Sequence, residues 1–247
     1  MGELIAIASG KGGTGKTSLC AGIATALAER GERVLCIDCD IGLRNLDISL
    51  ALTESGALSF LDVCSGGYDL SQAERHPEFP TLQFLTAPIH CAAEEIDSAA
   101  FLAMLRQARA RFDRIFLDCP AGIDAGFRLC SGVADRVILV TGADPAAIRD
   151  AARAGQLLEN MEKNQVRIIV NRVSKKLLKT IKVTVDDVMD DTGLPLLGIV
   201  PDDPEVTLAA AFGTALLQHT DEGAAAACRR IAKRLQGFPV AIPRRRI

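Results

Sequence analysis

The chain has 247 residues, 49% of them apolar, only 4% aromatic and none Trp, with a formal net charge of −3. That length suits one large α/β domain with an aliphatic core, and that charge supplies no global attraction to nucleic acid or anionic lipid. No run approaches the length of a membrane-spanning helix.

The first segment, ELIAIAS (3–9), reads as a buried strand that meets a glycine loop, with no secretory signal ahead of it. TSLCAGIATALAER (17–30) spaces Ala and Leu helically, and Gly31 punctuates its end. RVLCID (33–38) is a second buried strand, and LQFLTA (82–87), RIFLDC (114–119), RVILVT (136–141), VRIIVN (166–171) and LLGIV (196–200) repeat the type. Helical stretches fall at Ser98–Arg111, Pro145–Asn160, Thr184–Asp191 and Glu222–Leu235. Short apolar strands alternating with helices predict an α/β fold: a doubly wound, mostly parallel sheet with helices on both faces. No repeat or long linker divides it. We read residues 1–237 as one domain and 238–247 as a short tail.

Eight cysteines (Cys20, Cys36, Cys39, Cys64, Cys91, Cys119, Cys130 and Cys228) lie mostly in apolar runs and read as reduced core thiols of a cytoplasmic protein. CIDC (36–39) has a redox spacing, but within a strand an odd separation sends the two side chains to opposite faces. Three scattered His do not complete a zinc site. Position 6 is not Ser or Thr, so the myristoylation pattern fails.

The chemistry lies at the strand ends, where such sheets bind ligands. Gly10-Lys11-Gly12-Gly13-Thr14-Gly15-Lys16-Thr17, followed by Ser18, contains G-x-x-x-x-G-K-T between a strand and a helix. Its glycines let backbone N–H groups converge on phosphate oxygens, and the helix N-terminus adds partial positive charge. Lys16 is expected on the β- and γ-phosphates and the Thr17 hydroxyl on Mg²⁺. Asp38 and Asp118 end strands and are, with Thr17, the candidate magnesium ligands. Asp40, just beyond its strand, could orient a water at the γ-phosphate. Taken alone, each Asp reads as an ordinary strand-end cap; the phosphate loop upstream shifts the reading toward the site.

The loop carries a second lysine, Lys11, that phosphate binding alone does not need. K-G-G-x-G-K-T with that early lysine resembles the deviant Walker A of the MinD/ParA family of ATPases. DCDIGLRNLD (38–47) is similar to the first switch of the family's MinD branch, and LDCPAGID (117–124) resembles the second switch. VNR (170–172) and VPDD (200–203) match the two segments that hold adenine in the family. The likeness is in the right order over roughly residues 3–235. It implies ATP/ADP and Mg²⁺ as cofactors and Asn171, Arg172, Pro201 and Asp202 around the base. It also implies a homodimer on ATP binding, in which Lys11 reaches across to the partner's phosphates. Lys11, Lys16 and Asp40 are then the catalytic candidates. Asp150, in IRDAARAG (148–155), aligns with a position implicated at the dimer and partner surface, although that stretch also fits an ordinary exposed helix face.

The function implied is a molecular switch that helps position the division site, with a MinC-type inhibitor and a MinE-type activator as partners. Members of this branch usually end in an amphipathic membrane-targeting helix. Here RRIAKRLQG (229–237) is followed only by FPVAIPRRRI, where Pro239 and Pro243 oppose a helix. Arg244, Arg245 and Arg246 with Phe238, Val240 and Ile242 offer a weaker membrane contact. The location expected is cytoplasmic, with a peripheral seat on the inner membrane face left open. The nearest rival is a flagellar-number regulator of the same branch. A ParA-type DNA-segregation ATPase needs a basic patch, and neither RVSKKLLKTIK (172–182) nor RRIAKR is interleaved with aromatics, so nucleic acid is not expected. An electron carrier of the nitrogenase iron-protein type would need cluster ligands, and the spacing of Cys119 and Cys130 does not match.

Overall fold

The computed structural model describes residues 1–41, 43–53, 56–89, 91 and 95–242. Gly42 of the first switch and the tail's Pro243, Arg244, Arg245, Arg246 and Ile247 lie outside the described residues.

Strand β1 (Glu3–Ala8) leads into helix α1 (Lys16–Ala28) and β2 (Val34–Asp38). Two short helices, α2 (Leu46–Ser49) and α3 (Phe60–Cys64), precede β3 (Glu74–Arg75) and β4 (Leu82–Leu85). Then α4 (Ser98–Arg111), β5 (Arg114–Asp118), α5 (Ala125–Val133), β6 (Arg136–Thr141), α6 (Pro145–Asn160) and β7 (Val166–Val173) alternate. The chain closes with α7 (Lys175–Ile181), α8 (Val185–Thr192), β8 (Leu196–Pro201), α9 (Glu205–Ala211), α10 (Leu216–His219) and α11 (Gly223–Leu235). The sheet order is β3-β4-β2-β5-β1-β6-β7-β8, parallel throughout except for the β3–β4 pair. This is the doubly wound, mostly parallel sheet that the sequence predicts. β3 and the helices α2, α3, α5, α7, α9 and α10 are additions to that reading.

Strand period two divides the core in half. Leu4, Ala6 and Ala8 of β1 and Leu35 and Ile37 of β2 face one cluster, covered by Phe101 and Met104 of α4, Phe127 of α5, Ile148 of α6 and Val188 of α8. Ile5 and Ile7, with Val34 and Cys36, face the other, covered by Ile23 and Leu27 of α1 and Cys228, Ile231 and Leu235 of α11. Cys36 and Cys39 thus sit on opposite faces, as their odd separation requires. The eight cysteines form no disulfide. Cys119 and Cys130 are buried in the first cluster, where neither can reach a second molecule.

Local signals set the helix ends. Asp97 accepts from the N–H groups of Ala99 and Ala100 to open α4. Asp144 accepts from Ala147 N–H, with Pro145 at the first position of α6. Thr184 and Asp187 form a reciprocal capping box on α8, which ends at Gly193 with φ +67°. α1 is buried nearly all round, and its Gly and Ala residues permit that. A Cβ on Gly22 would stand 2.8 Å from the Cys228 Sγ of α11.

Helix α11 seats on β8 through an equally close approach, because a Cβ at Gly198 would lie 2.5 Å from Ile231 Cγ1. Overpacking a filled core costs about 1–3 kcal/mol. We therefore expect Gly198→Val to lower the unfolding free energy by that amount, read as a lower urea midpoint with the slope unchanged. An unchanged midpoint would show that this contact is loose.

Candidate nucleotide site

The loops after β1, β2 and β5 meet at the carboxyl ends of three adjacent strands, because β5 lies between β1 and β2. Helix α1 begins after Gly15, which has φ +84° and no side chain to cap the first turn. No acidic residue stands in that turn either. The leading N–H groups and the positive end of the helix dipole are therefore left for an anion. Gly15 is also required sterically, since a Cβ there would lie 2.4 Å from Asn171 Nδ2. Asn171 is buried and donates from Nδ2 to Thr14 O at 2.8 Å, which ties the end of β7 to the loop. On the other side a Cβ on Gly10 would lie 2.2 Å from Asp150 O, so the loop rests directly on α6. Asp150 is half-buried beneath it.

A cavity of about 340 Å³ is lined by Lys11, Gly12, Gly13, Thr14, Gly15, Lys16, Thr17 and Ser18, and closed by Asp40. Leu43, Asn45, Ile48, Ser49 and Ala121 complete its wall. None of the five was among the expected site residues, although Leu43 and Asn45 belong to the first-switch stretch and Ala121 to the second; Ile48 and Ser49 lie outside both motifs, and the turn after β2 brings them there. The cavity beside it, about 290 Å³, is lined by Asn171, Arg172, Pro201 and Asp202, with Val206, Thr207, Leu216 and Ala224. Gly15, Ser18 and Arg172 line both, so the two spaces adjoin. Arg172 reaches between them from an irregularity in β7 at φ +53°, a left-handed conformation seldom taken by a side-chain-bearing residue. Asn171 lines the base-sized cavity, with one of its two amide N–H groups committed to the loop.

Lys16 lies buried with its Nζ 3.3 Å from Asp118 Oδ1. Burial pulls the ammonium down, but Asp118, then Cys119 and Asp40, carry it above its usual value, so it stays charged. Burial pushes Asp118 up, against the pull of Lys16 and the adjacent Thr17 side chain. Asp118 Oδ2 is buried with no hydrogen-bond partner among the described residues, and so is Thr14 Oγ1. An orphaned carboxylate oxygen beside the Thr17 hydroxyl fits a magnesium ion, which takes one or two protein ligands and otherwise water and phosphate oxygens.

Asp38 stands one strand over, on the same rung as Asp118. Its Oδ1 accepts from Asp40 N–H at 2.9 Å and its Oδ2 from Leu46 N–H at 3.2 Å. In this conformation both oxygens organise the loop that carries Asp40. Burial, then the Asp118 charge, pushes the Asp38 carboxyl up to about 7. Burial also raises Asp40, opposed by Lys16. Lys11 is at the mouth, exposed, 3.9 Å from Asp144 Oδ1 in a contact of two half-exposed groups. The second-switch loop is fixed to the first strand by Gly122 N–H donating to Ser9 O.

This fold and this loop define a P-loop nucleotide-binding protein. Residues 5–217 match the family described as the CobQ/CobB/MinD/ParA nucleotide binding domain, and the chain belongs to that family. It is 38% identical over 248 residues to the septum site-determining protein MinD of Bacillus subtilis, covering 97% of this chain and 91% of that one. It is 35% identical to the protein of the same description from Synechocystis, over 96% and 90%. Among solved structures, MinD in the MinC:MinD cell division protein complex of Aquifex aeolicus superposes with a TM-score of 0.90 at 34% identity, covering 98% of each chain. The Pyrococcus horikoshii septum site-determining protein complexed with Mg-ADP gives 0.82 at 26%, over 95% and 96%.

The raised Asp38 carboxyl fixes the sign of a pH effect. The native group holds its proton to about pH 7, whereas the unfolded one releases it near 3.9. Between those limits the native state binds more protons, so this group lowers stability as pH rises, by up to about 1.4 kcal/mol per unit. Without nucleotide or magnesium, Asp38→Asn should flatten the decline in urea midpoint between pH 5 and pH 8. A slope equal to wild type would contradict the assignment.

Proposed function

We propose that this chain is a MinD-like ATPase of cell division, a switch that closes into a dimer on ATP and resets by Mg²⁺-dependent hydrolysis to ADP and phosphate. The observation that carries this reading is the pair of adjoining cavities, one base-sized and one ringed by loop N–H groups and two lysines. Gly10 to Ser18 would cradle the phosphates, and Lys16 would leave Asp118 for the β- and γ-oxygens. Asn171, Arg172, Pro201 and Asp202 would enclose adenine. Thr17 and Asp118 would hold Mg²⁺, with Asp38 supporting them through its loop; the ion, when bound, offsets phosphate charge. Asp40, half-buried at the rim, would orient the attacking water.

Lys11 is exposed at the mouth and restrained only by one long contact with Asp144. Such contacts are worth little, so the ammonium is available to a second copy of the chain. A cation placed on the partner's phosphates in a dry interface stabilises transition-state charge. Residues 1–237 would act as the catalytic unit. By analogy with the Aquifex complex, an inhibitor of the MinC type would read the dimer. A MinE-type activator and an inner-membrane surface complete the proposed cycle.

Lys11→Ala should bind ATP within a few-fold of wild type but lose turnover by roughly 10³-fold, the scale of a cation supplied in trans. Wild-type turnover in that variant would refute the trans-lysine role. Chelation of magnesium should stop phosphate release while leaving the fold intact by circular dichroism, and continued hydrolysis in excess chelator would exclude the metal-dependent step.

A further inference from the structure

A large cavity lies away from the nucleotide site. It is a groove of about 1060 Å³ between α7, α8 and β8, and it shares no lining residue with the two nucleotide cavities. Its floor is aliphatic: Leu178, Val183, Val185, Met189, Leu196 and Ile199. Small-molecule clefts span about 300–1,000 Å³, so this one is large for such a ligand.

Two features specify an occupant. Along one wall run Lys175, Lys179 and Lys182, spaced four and three apart on and just beyond α7. Lys175 and Lys179 stand one helical turn apart on α7, and Lys182 follows the helix end at φ +54°, so all three border the apolar floor. Lys179 and Lys182 are exposed and make no ion pair among the described residues. Asp186 is the one acidic residue that lines the groove. The second feature is the chain's own tail. Arg234 donates from Nε to Val240 O at 2.9 Å, from Nη2 to Ala241 O at 2.7 Å, and from Nη1 to Leu197 O at 3.0 Å. The fork binds the tail to the open edge of β8 and brings Ile242 to the groove, against the core. One aliphatic side chain is thus already docked there.

We propose that this groove receives an amphipathic helix of a partner protein, with an apolar stripe flanked by a row of acidic residues. A helix lays such a stripe into a trough with contacts at i, i+3, i+4 and i+7. Carboxylates one turn apart would meet Lys175 and Lys179, and Lys182 extends the basic wall. A flat anionic bilayer would reach the lysines but leave the floor uncovered.

The test uses the full chain and a fluorescein-labelled synthetic peptide of about 18 residues, five helical turns, with Leu on the stripe and Glu along its edge. A counterpart peptide carries Lys in place of Glu. Wild-type protein should bind the Glu peptide at least about ten-fold more tightly than the Lys peptide, and added salt should narrow the gap. Lys179→Glu with Lys182→Glu should reverse the preference while nucleotide binding is kept, a reversal that misfolding cannot produce. Equal binding of the two peptides, or the same preference in both proteins, would overturn the proposal. So would loss of phosphatidylglycerol-vesicle binding in the double variant with no change in peptide preference, which would assign the lysines to a membrane surface.

Discussion

Everything at the carboxyl end of the sheet follows from one uncapped helix end. α1 starts at a left-handed glycine with no side chain to bond its leading N–H groups and no acid to offset its dipole. Elsewhere in the chain Asp97, Asp144 and Thr184 bond the first turns of their own helices. At α1 that stabilisation is withheld, and the unmet donors become an anion site. The neighbouring contacts keep the loop open: Asn171 holds Thr14 O from one side, and Asp150 backs Gly10 from the other.

The same arrangement gathers charge that would be costly alone. Asp38 and Asp118 occupy one rung of adjacent strands, both buried, and Lys16 is the cation inserted between the loop and the sheet. An isolated buried carboxylate is strongly unfavourable. One carboxyl is therefore paired with Lys16, and the other bonds two backbone N–H groups and is pushed toward neutrality. A phosphate-bearing ligand with its metal would redistribute these charges. That links the resting electrostatics to the chemistry proposed for the site.

At the far edge of the sheet the constraint is different. β8 has a neighbour on one side only, and an open strand edge invites pairing with other chains. Arg234 covers part of it by bonding Leu197 O while it clasps two carbonyls of the tail. Phe238 stacks under Arg30 in a cation–π contact, 5.3 Å from guanidinium carbon to ring centroid. The described tail is consequently attached to the domain, although Pro239 keeps it from continuing α11.

The sequence by itself determined the parallel sheet, the loop and the strand-end aspartates. Each is written in local terms: unbroken apolar runs, glycines at fixed offsets, and a carboxylate just after a strand. The long helices Ser98–Arg111 and Pro145–Asn160 were legible for the same reason, each with an acidic cap and a helical apolar period. The short helices α2, α3, α7, α9 and α10 were not, because four to seven residues hold too few periods to distinguish a helix from a turn. Only the tertiary structure decided that Asn171 braces the loop, that Asp38 spends both oxygens on its own switch, and that Arg234 straps the tail to β8. Those are contacts between residues distant in the chain. Their geometry depends on strand order and helix placement, which no local pattern encodes.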